Sequence, residues 1–298
     1  GFIGSNFILN WLENKKEGIV NFDKLTYAGN LENLECIVEN PNYFFEKGDI
    51  CDTSLLRDLM IKYSPSSVIH FAAESHVDRS IEYSDSFIQT NIMGTYSLLE
   101  TSKDYWNSLE ESKKKKFRFL HISTDEVYGS LNSQQEPFNE DYPFKPNSPY
   151  SATKAASDHL VRSWHKTYEL PAITINCSNN YGPYQFPEKL IPLTILNALA
   201  GKPIHIFGDG KHVRDWIYVK DHCIAIKSVL EDGRIGQVYN IGGKSELENL
   251  QVAILICKIL DELSPKIDGL SYQDQIIFIT DRKGHDRRYA IDISKIKN

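Results

Sequence analysis

The chain reads as an α/β protein: a doubly wound parallel sheet followed by a smaller mixed α/β unit. Three observations predict this. Short β-branched and aromatic runs alternate with helical patterns through the first half, as βαβ units do. A glycine pair, Gly1 and Gly4, stands directly before an amphipathic stretch, and Asp23 closes the run that follows. After about residue 180 the alternation fades into mixed elements.

Each element has its own signal. Ile3, Phe7 and Trp11 recur at i, i+4, i+8 with Ile8 and Leu12 beside them, giving the first helix an apolar stripe. Strands are expected at 18–23, 43–49, 67–72, 117–124 and 172–177. Helices are expected at 54–63, 86–106 and 151–168. A strand over 203–207 and a helix over 250–263 follow. Pro137, Pro143, Pro146 and Pro149 crowd one stretch, which predicts a long irregular loop able to cover a site. Lys113 to Lys116 read as a solvated turn. We expect a dinucleotide-binding domain over 1–180 and a substrate domain over 181–298, with part of 208–245 returning to the first.

Composition narrows the function. With 33 Lys+Arg against 40 Asp+Glu the net charge is −7 over 298 residues, against a generic nucleic-acid binder, whose footprint is basic. The 41% hydrophobic and 24% charged content predicts a packed core. The apolar runs are far shorter than the ~20 residues that cross a bilayer. Five scattered cysteines without a Cys-x-x-Cys pair support neither a disulfide framework nor a zinc site, and favour a cytoplasmic location. No metal is expected. The opening on Gly1-Phe2-Ile3-Gly4 reads as the middle of a motif, so the chain is expected to lack a first strand and to bind a dinucleotide poorly or fold badly as written.

Glycines before a helix let a backbone approach a pyrophosphate, and the helix N-terminus offers it unpaired N–H groups. Asp23 can accept both ribose hydroxyls and would repel a 2′-phosphate, favouring NAD over NADP. The other strand ends, where ligands of open α/β sheets bind, are polar or small: Asp49, Ile50, Phe71, Ala72, Ala73, Ser75, Ser123 to Glu126, and Ser178 to Asn180. Tyr150 and Lys154 are spaced i, i+4 at the start of a helix, on one face. A tyrosine pKa of ~10 must fall to near neutrality for the side chain to act as a base, a difference of ~4 kcal/mol. The Lys154 ammonium is expected to supply it, aided by a nicotinamide ring.

Longer strings are more specific: Asp23-Lys-Leu-Thr-Tyr-Ala-Gly-Asn-Leu31, Ala72-Ala-Glu-Ser-His-Val-Asp-Arg-Ser80, Ser123-Thr-Asp-Glu-Val-Tyr-Gly129, Ser148-Pro-Tyr-Ser-Ala-Thr-Lys154, Asn176-Cys-Ser-Asn-Asn-Tyr-Gly-Pro183, Phe186-Pro-Glu-Lys-Leu-Ile-Pro192 and Gly284-His-Asp-Arg-Arg-Tyr289. On these the chain resembles, nearly end to end, the extended short-chain dehydrogenase/reductase superfamily, and within it the bacterial sugar-nucleotide 4,6-dehydratases. The resemblance implies a Rossmann-type fold, NAD, a nucleotide-sugar substrate such as dTDP-glucose, and a homodimer through the helices 90–106 and 151–168. It implies catalysis by Thr124, Asp125, Glu126, Tyr150 and Lys154. Tyr150 would take the C4 hydroxyl proton, Glu126 the C5 proton, and Asp125 would protonate the leaving C6 hydroxyl.

The implied cofactor contacts are Gly1, Phe2, Ile3, Gly4, Asp23, Lys24, Leu25, Thr26, Asp49, Ile50, Phe71, Ala72, Ala73, Ser75, Thr90, Tyr150, Lys154 and Asn180. The implied substrate contacts are Ser75, Thr124, Asn179, Lys189, Leu190, His205, Ile206, Phe207, Arg214, Asn249, Asp281, Arg282, Lys283, Gly284 and His285, with Arg214 and Arg282 on the diphosphate. Lys283 stands where relatives commonly have proline. A sugar-nucleotide 4-epimerase is the enzymatic alternative, against which Asp125 and Glu126 argue. A non-catalytic dinucleotide-binding module is the other alternative, against which the intact Thr124, Tyr150 and Lys154 argue.

Overall fold

The computed structural model describes residues 1–297. Helix α1 (Phe2–Asn14) begins at the opening glycines and leads to β1 (Ile19–Asp23), which pairs in parallel with β2 (Tyr43–Lys47). Asp52 caps α2 (Thr53–Tyr63), its carboxylate accepting from the Leu55 N–H at 3.0 Å. Next come β3 (Ser67–His70), α3 (Val77–Glu82), α4 (Asp85–Phe87), α5 (Thr95–Ser108) and α6 (Glu111–Lys114). Then β4 (Arg118–Thr124), α7 (Pro149–Tyr168), β5 (Ala172–Cys177) and β6 (Asn179–Tyr181) complete the first half.

The remaining elements are α8 (Leu190–Leu199), β7 (Ile204–Phe207), β8 (Val213–Tyr218), α9 (Val219–Asp232), β9 (Val238–Ile241), β10 (Glu246–Glu248), α10 (Asn249–Leu263), β11 (Ile276–Ile279) and α11 (Ser294–Lys297). Strands β3-β4-β5-β9 form one parallel sheet, and β1 and β2 form a separate parallel pair. Thus β9 joins the sheet built by the first half, and α9 packs on α1. The other strands make β10-β8-β6 and β11-β7. Among the described residues no helix is long and apolar enough to cross a membrane.

Alternation along β4 explains why the central sheet is covered on both sides. Leu120 and Ile122 pack with Phe7 of α1 and Cys223 and Ile226 of α9. Phe119 packs with Leu99 of α5 and Val161 of α7 on the opposite face. Complete burial of a side chain such as Phe119 stabilises the fold by ~1.5–3 kcal/mol. His121, on the same face as Phe119, is therefore directed at α7.

The helix expected to run unbroken over 86–106 does not. Ile88–Gly94 is π-helical, between α4 and α5. A π-turn keeps the chain helical and draws on the same residue types as an α-turn, so the sequence reads simply as helix there. The widened turn carries Asn91, whose Oδ1 accepts from the Glu74 N–H at 2.9 Å while its Nδ2 donates to the Glu74 carbonyl at 3.0 Å and to Thr153 Oγ1 at 2.9 Å. Asn91 thereby ties the segment after β3 to α7.

Candidate active site

The strand ends open on one cavity of about 1590 Å³. It also extends between β1 and β3, along Val20 and Val68. On one flank the first turn of α1 presents Gly1 to Gly4 to the cavity, a helix N-terminus suited to phosphate oxygens. Asp23, at the end of β1, accepts from the Leu25 N–H at 2.8 Å. Lys24 pairs with Asp49 at 2.6 Å. Thr26, Ile50, Phe71, Ala72, Ala73, Ser75 and Thr90 continue this wall. A helix start flanked by two glycines, beside a carboxylate at the next strand end, fits a dinucleotide. Leu25 is an exception to expectation: it does not line the cavity, because its φ of 56° accompanies the turn in which its N–H binds Asp23.

The centre of the cavity is built by two tight local structures. Thr124 ends β4 and caps the 3-10 turn Asp125–Tyr128, its Oγ1 accepting from the Glu126 N–H at 3.3 Å. Ser148 caps α7 through a reciprocal box with Ser151, with Pro149 in the first turn; such caps are worth ~0.5–2 kcal/mol. The box fixes Tyr150 at the helix start and Lys154 one turn on. Lys154 Nζ donates to the Ile122 carbonyl at 2.9 Å. A further turn on, Asp158 meets His121 Nε2 at 3.1 Å. Burial holds His121 neutral, so this contact is a hydrogen bond rather than an ion pair.

The two adjacent carboxyls occupy different surroundings. Burial, then the charges of Glu126 and Asp215, push Asp125 well above the usual carboxylate range, with Arg214 and the Thr124 hydroxyl only partly opposing. Burial also raises Glu126, but the charges of Arg214, Lys189 and Arg282 pull it back. Both carboxyls are thus raised, Asp125 further than Glu126, so their environments separate the two. Tyr150 corrects an expectation. Burial first, then the Glu126 charge, raise its pKa well above the ordinary value, while a hydrogen bond with Thr124 lowers it. Lys154, itself lowered by burial, does not make Tyr150 a phenolate in the protein alone; desolvation outweighs the expected ammonium effect.

The opposite flank comes from the second half of the chain. Lys189 Nζ donates to the Ser75 carbonyl at 2.8 Å, joining the start of α8 to the segment after β3. The Arg282 guanidinium lies 4.4 Å over the Phe207 ring, with Nε 3.3 Å from Asp78. Buried Arg214 lies 4.3 Å over the Tyr289 ring. Asn179, Leu190, His205, Ile206, Asn249, Gly284 and His285 line the same side, as Asn180 does the centre.

Asp281 and Lys283, expected on the substrate, are exposed and do not line the cavity. The Asp281 carboxylate is taken up by His285 Nδ1 at 2.6 Å and His212 Nε2 at 3.3 Å, whose rings stack at 3.6 Å. Sequence reasoning also missed Tyr289 and Asp286. Tyr289 Oη lies 3.5 Å from Glu126 Oε2 and donates to Asp286 Oδ2 at 2.5 Å, and Asp286 accepts from Asn147 Nδ2 at 2.6 Å. The string ending at Tyr289 was the available signal.

Known proteins share both the sequence and this architecture. A family profile described as GDP-mannose 4,6 dehydratase matches residues 1–298. The dTDP-glucose 4,6-dehydratase of Xanthomonas campestris pv. campestris is 57% identical over 300 residues, 100% of this chain and 84% of that protein. The Escherichia coli K12 protein dTDP-glucose 4,6-dehydratase 1 is 53% identical over 304 residues, 99% of this chain and 84% of its own. The crystal structure of the Bacillus anthracis dTDP-glucose 4,6-dehydratase in complex with NAD superposes with a TM-score of 0.86 at 45% identity, covering 100% of this chain and 86% of that one. At 29% identity, a Thermotoga maritima UDP-glucose 4-epimerase still has a TM-score of 0.85, covering 100% of this chain and 88% of the other. Backbone alone therefore does not separate dehydratase from epimerase, but identity does. The chain belongs to the GDP-mannose 4,6 dehydratase family, on the branch of the dTDP-glucose 4,6-dehydratases.

Proposed function

We infer that this enzyme is an NAD-dependent hydro-lyase that converts dTDP-glucose to dTDP-4-keto-6-deoxyglucose. The observation that carries the chemistry is the Asp125–Glu126 pair beside Thr124 and Tyr150 on the cavity wall, with cations around Glu126 and burial around Asp125. Gly1 to Gly4, Asp23 and the wall to Thr90 would hold NAD, which when bound takes a hydride from C4 and returns it to C6. Tyr150 Oη accepts the C4 hydroxyl proton, with Lys154 as its neighbouring charge. The C4 ketone acidifies C5, whose proton Glu126 removes; Asp125 gives its proton to the C6 oxygen, which leaves as water. Arg214 and Arg282 face the diphosphate, where guanidinium forks match phosphate oxygens. Tyr289 steadies the Glu126 carboxylate.

Residues 1–180 read as the cofactor unit, with 219–241 returning to its sheet, and the rest as the substrate unit. Tyr96 and Tyr168, exposed on either side of Trp164 along α5 and α7, form the face through which we expect a homodimer. Five free thiols support a reducing, cytoplasmic location. The deciding experiment supplies NAD and dTDP-glucose deuterated at C4. Loss of one water with deuterium recovered at C6 supports the dehydratase; an isomer of unchanged mass would mean an epimerase.

A further inference from the structure

The cations of the substrate flank are not bare. Two of them, Lys189 and Arg282, line the cavity, and their charges oppose the rise of the Glu126 pKa. Each is met by an acceptor from one short segment, residues 75–78, which follows β3 on the cofactor side. The Ser75 carbonyl accepts from Lys189 Nζ at 2.8 Å, and Asp78 Oδ1, from the first turn of α3, lies 3.3 Å from Arg282 Nε. The protein thus sets its own oxygens where an anion would sit.

The two contacts differ in what they leave open. Lys189 makes a directed hydrogen bond to a carbonyl. Arg282 does not: its Nε is buried and, among the described residues, has no hydrogen-bond partner, so Asp78 offers it charge without alignment. The guanidinium is held from its face instead, 4.4 Å over the Phe207 ring. Its orientation is fixed while that donor stays uncommitted. The side chains of Asp78 and Arg282 are 37% and 23% exposed, so solvent screens the pair and its strength is modest. A diphosphate carries more charge than one carboxylate, and its oxygens can be gripped two at a time by a guanidinium. It is therefore able to displace Asp78.

We propose, resting on the nucleotide-sugar reading above, that Asp78 is a built-in competitor for the diphosphate at Arg282 and that it weakens ligand binding so that product leaves faster. Substrate and product carry the same diphosphate, so a site that gripped it unopposed would hold the product as firmly as the substrate. As the phosphate oxygens move off, the Asp78 carboxylate takes up the guanidinium again. The departing state then leaves no unpaired charge beside Phe207.

The test is dTDP binding to the holoenzyme by calorimetry, with dissociation followed by stopped flow. Asp78→Asn keeps the shape and removes the charge, and Asp78→Ser is the second variant should the amide disturb α3. Either should tighten dTDP by about three- to fivefold, the scale of a partly exposed ion pair, through slower dissociation. Thymidine, which has no phosphate, should bind every form alike. In an Arg282→Ala background the gain should vanish, because the competitor then has nothing to compete for. Unchanged or weaker dTDP binding in both variants, a gain carried entirely by faster association, the same gain for thymidine, or the same gain without Arg282 would each overturn the proposal. Absence of dTDP binding to the unaltered protein would instead refute the nucleotide-sugar reading, so the two failures are distinct.

Discussion

The two flanks of the cavity are held by different physics. On the sheet side, Thr124, Tyr150 and Lys154 are fixed by strand pairing, a helix capping box and a backbone carbonyl, inside cores where Phe119 and Leu99 are fully enclosed. On the return side, Arg282, Lys189 and His285 are fixed by contacts to Asp78, the Ser75 carbonyl and Asp281. The first arrangement costs ligand binding little, because nothing must be displaced. The second presents side chains already engaged with the protein, which the proposed diphosphate contact would have to draw away. Rigid chemistry on one side and exchangeable recognition on the other is the lesson of the comparison.

The largest expected effect lies on the sheet side. Glu126→Gln should lower turnover by ~10²–10⁴-fold while C4 oxidation continues, so the absorbance of reduced nicotinamide should build up without loss of water. Unimpaired dehydration would remove Glu126 from the chemistry. Next, Phe119→Ala should cost about 3–5 kcal/mol in urea unfolding, against within ~0.5 kcal/mol for the half-exposed Leu255 of α10 changed to Ala. Similar losses at both would break the contrast between an enclosed core and a periphery. On the return side, Arg282→Ala should raise KM by ~10-fold or more, as loss of a charge-assisted contact implies, with kcat within a few-fold and less dependence of KM on salt. A fall in kcat alone would place Arg282 with the chemistry.

The smallest effect concerns Asp158. Burial raises its pKa to about 7, against opposition from the Lys154 charge and the Ser123 hydroxyl. The folded protein then holds this proton more tightly than the unfolded chain, so the stability it brings is complete below ~4 and is lost as pH rises towards 7. The Tm of the unaltered protein should accordingly fall more between about pH 5 and pH 8 than that of Asp158→Asn. Parallel curves would show that Asp158 is ionised throughout.

The same division governed what the sequence revealed. Strand ends and the Tyr150–Lys154 spacing were legible because period-2 and period-3.6 geometry fixes where side chains point. The adjacency of Tyr289 to Glu126, 163 positions apart, follows no local period and was missed. So was the Asp281 carboxylate turning to two histidines. The Tyr150 pKa was misjudged for a related reason: spacing shows the ammonium but not how deeply the phenol is buried.

The π-turn at Ile88–Gly94 makes this segment a gauge of length. Helical residues advance by about 100° each, so inserting or deleting one residue there would swing Asn91 off Glu74 and Thr153 and carry the rest of α5 around with it. Substitutions along the exposed side, at Ile88 or Met93, leave that angle untouched. Among functional homologues this stretch should drift in sequence yet admit no gaps.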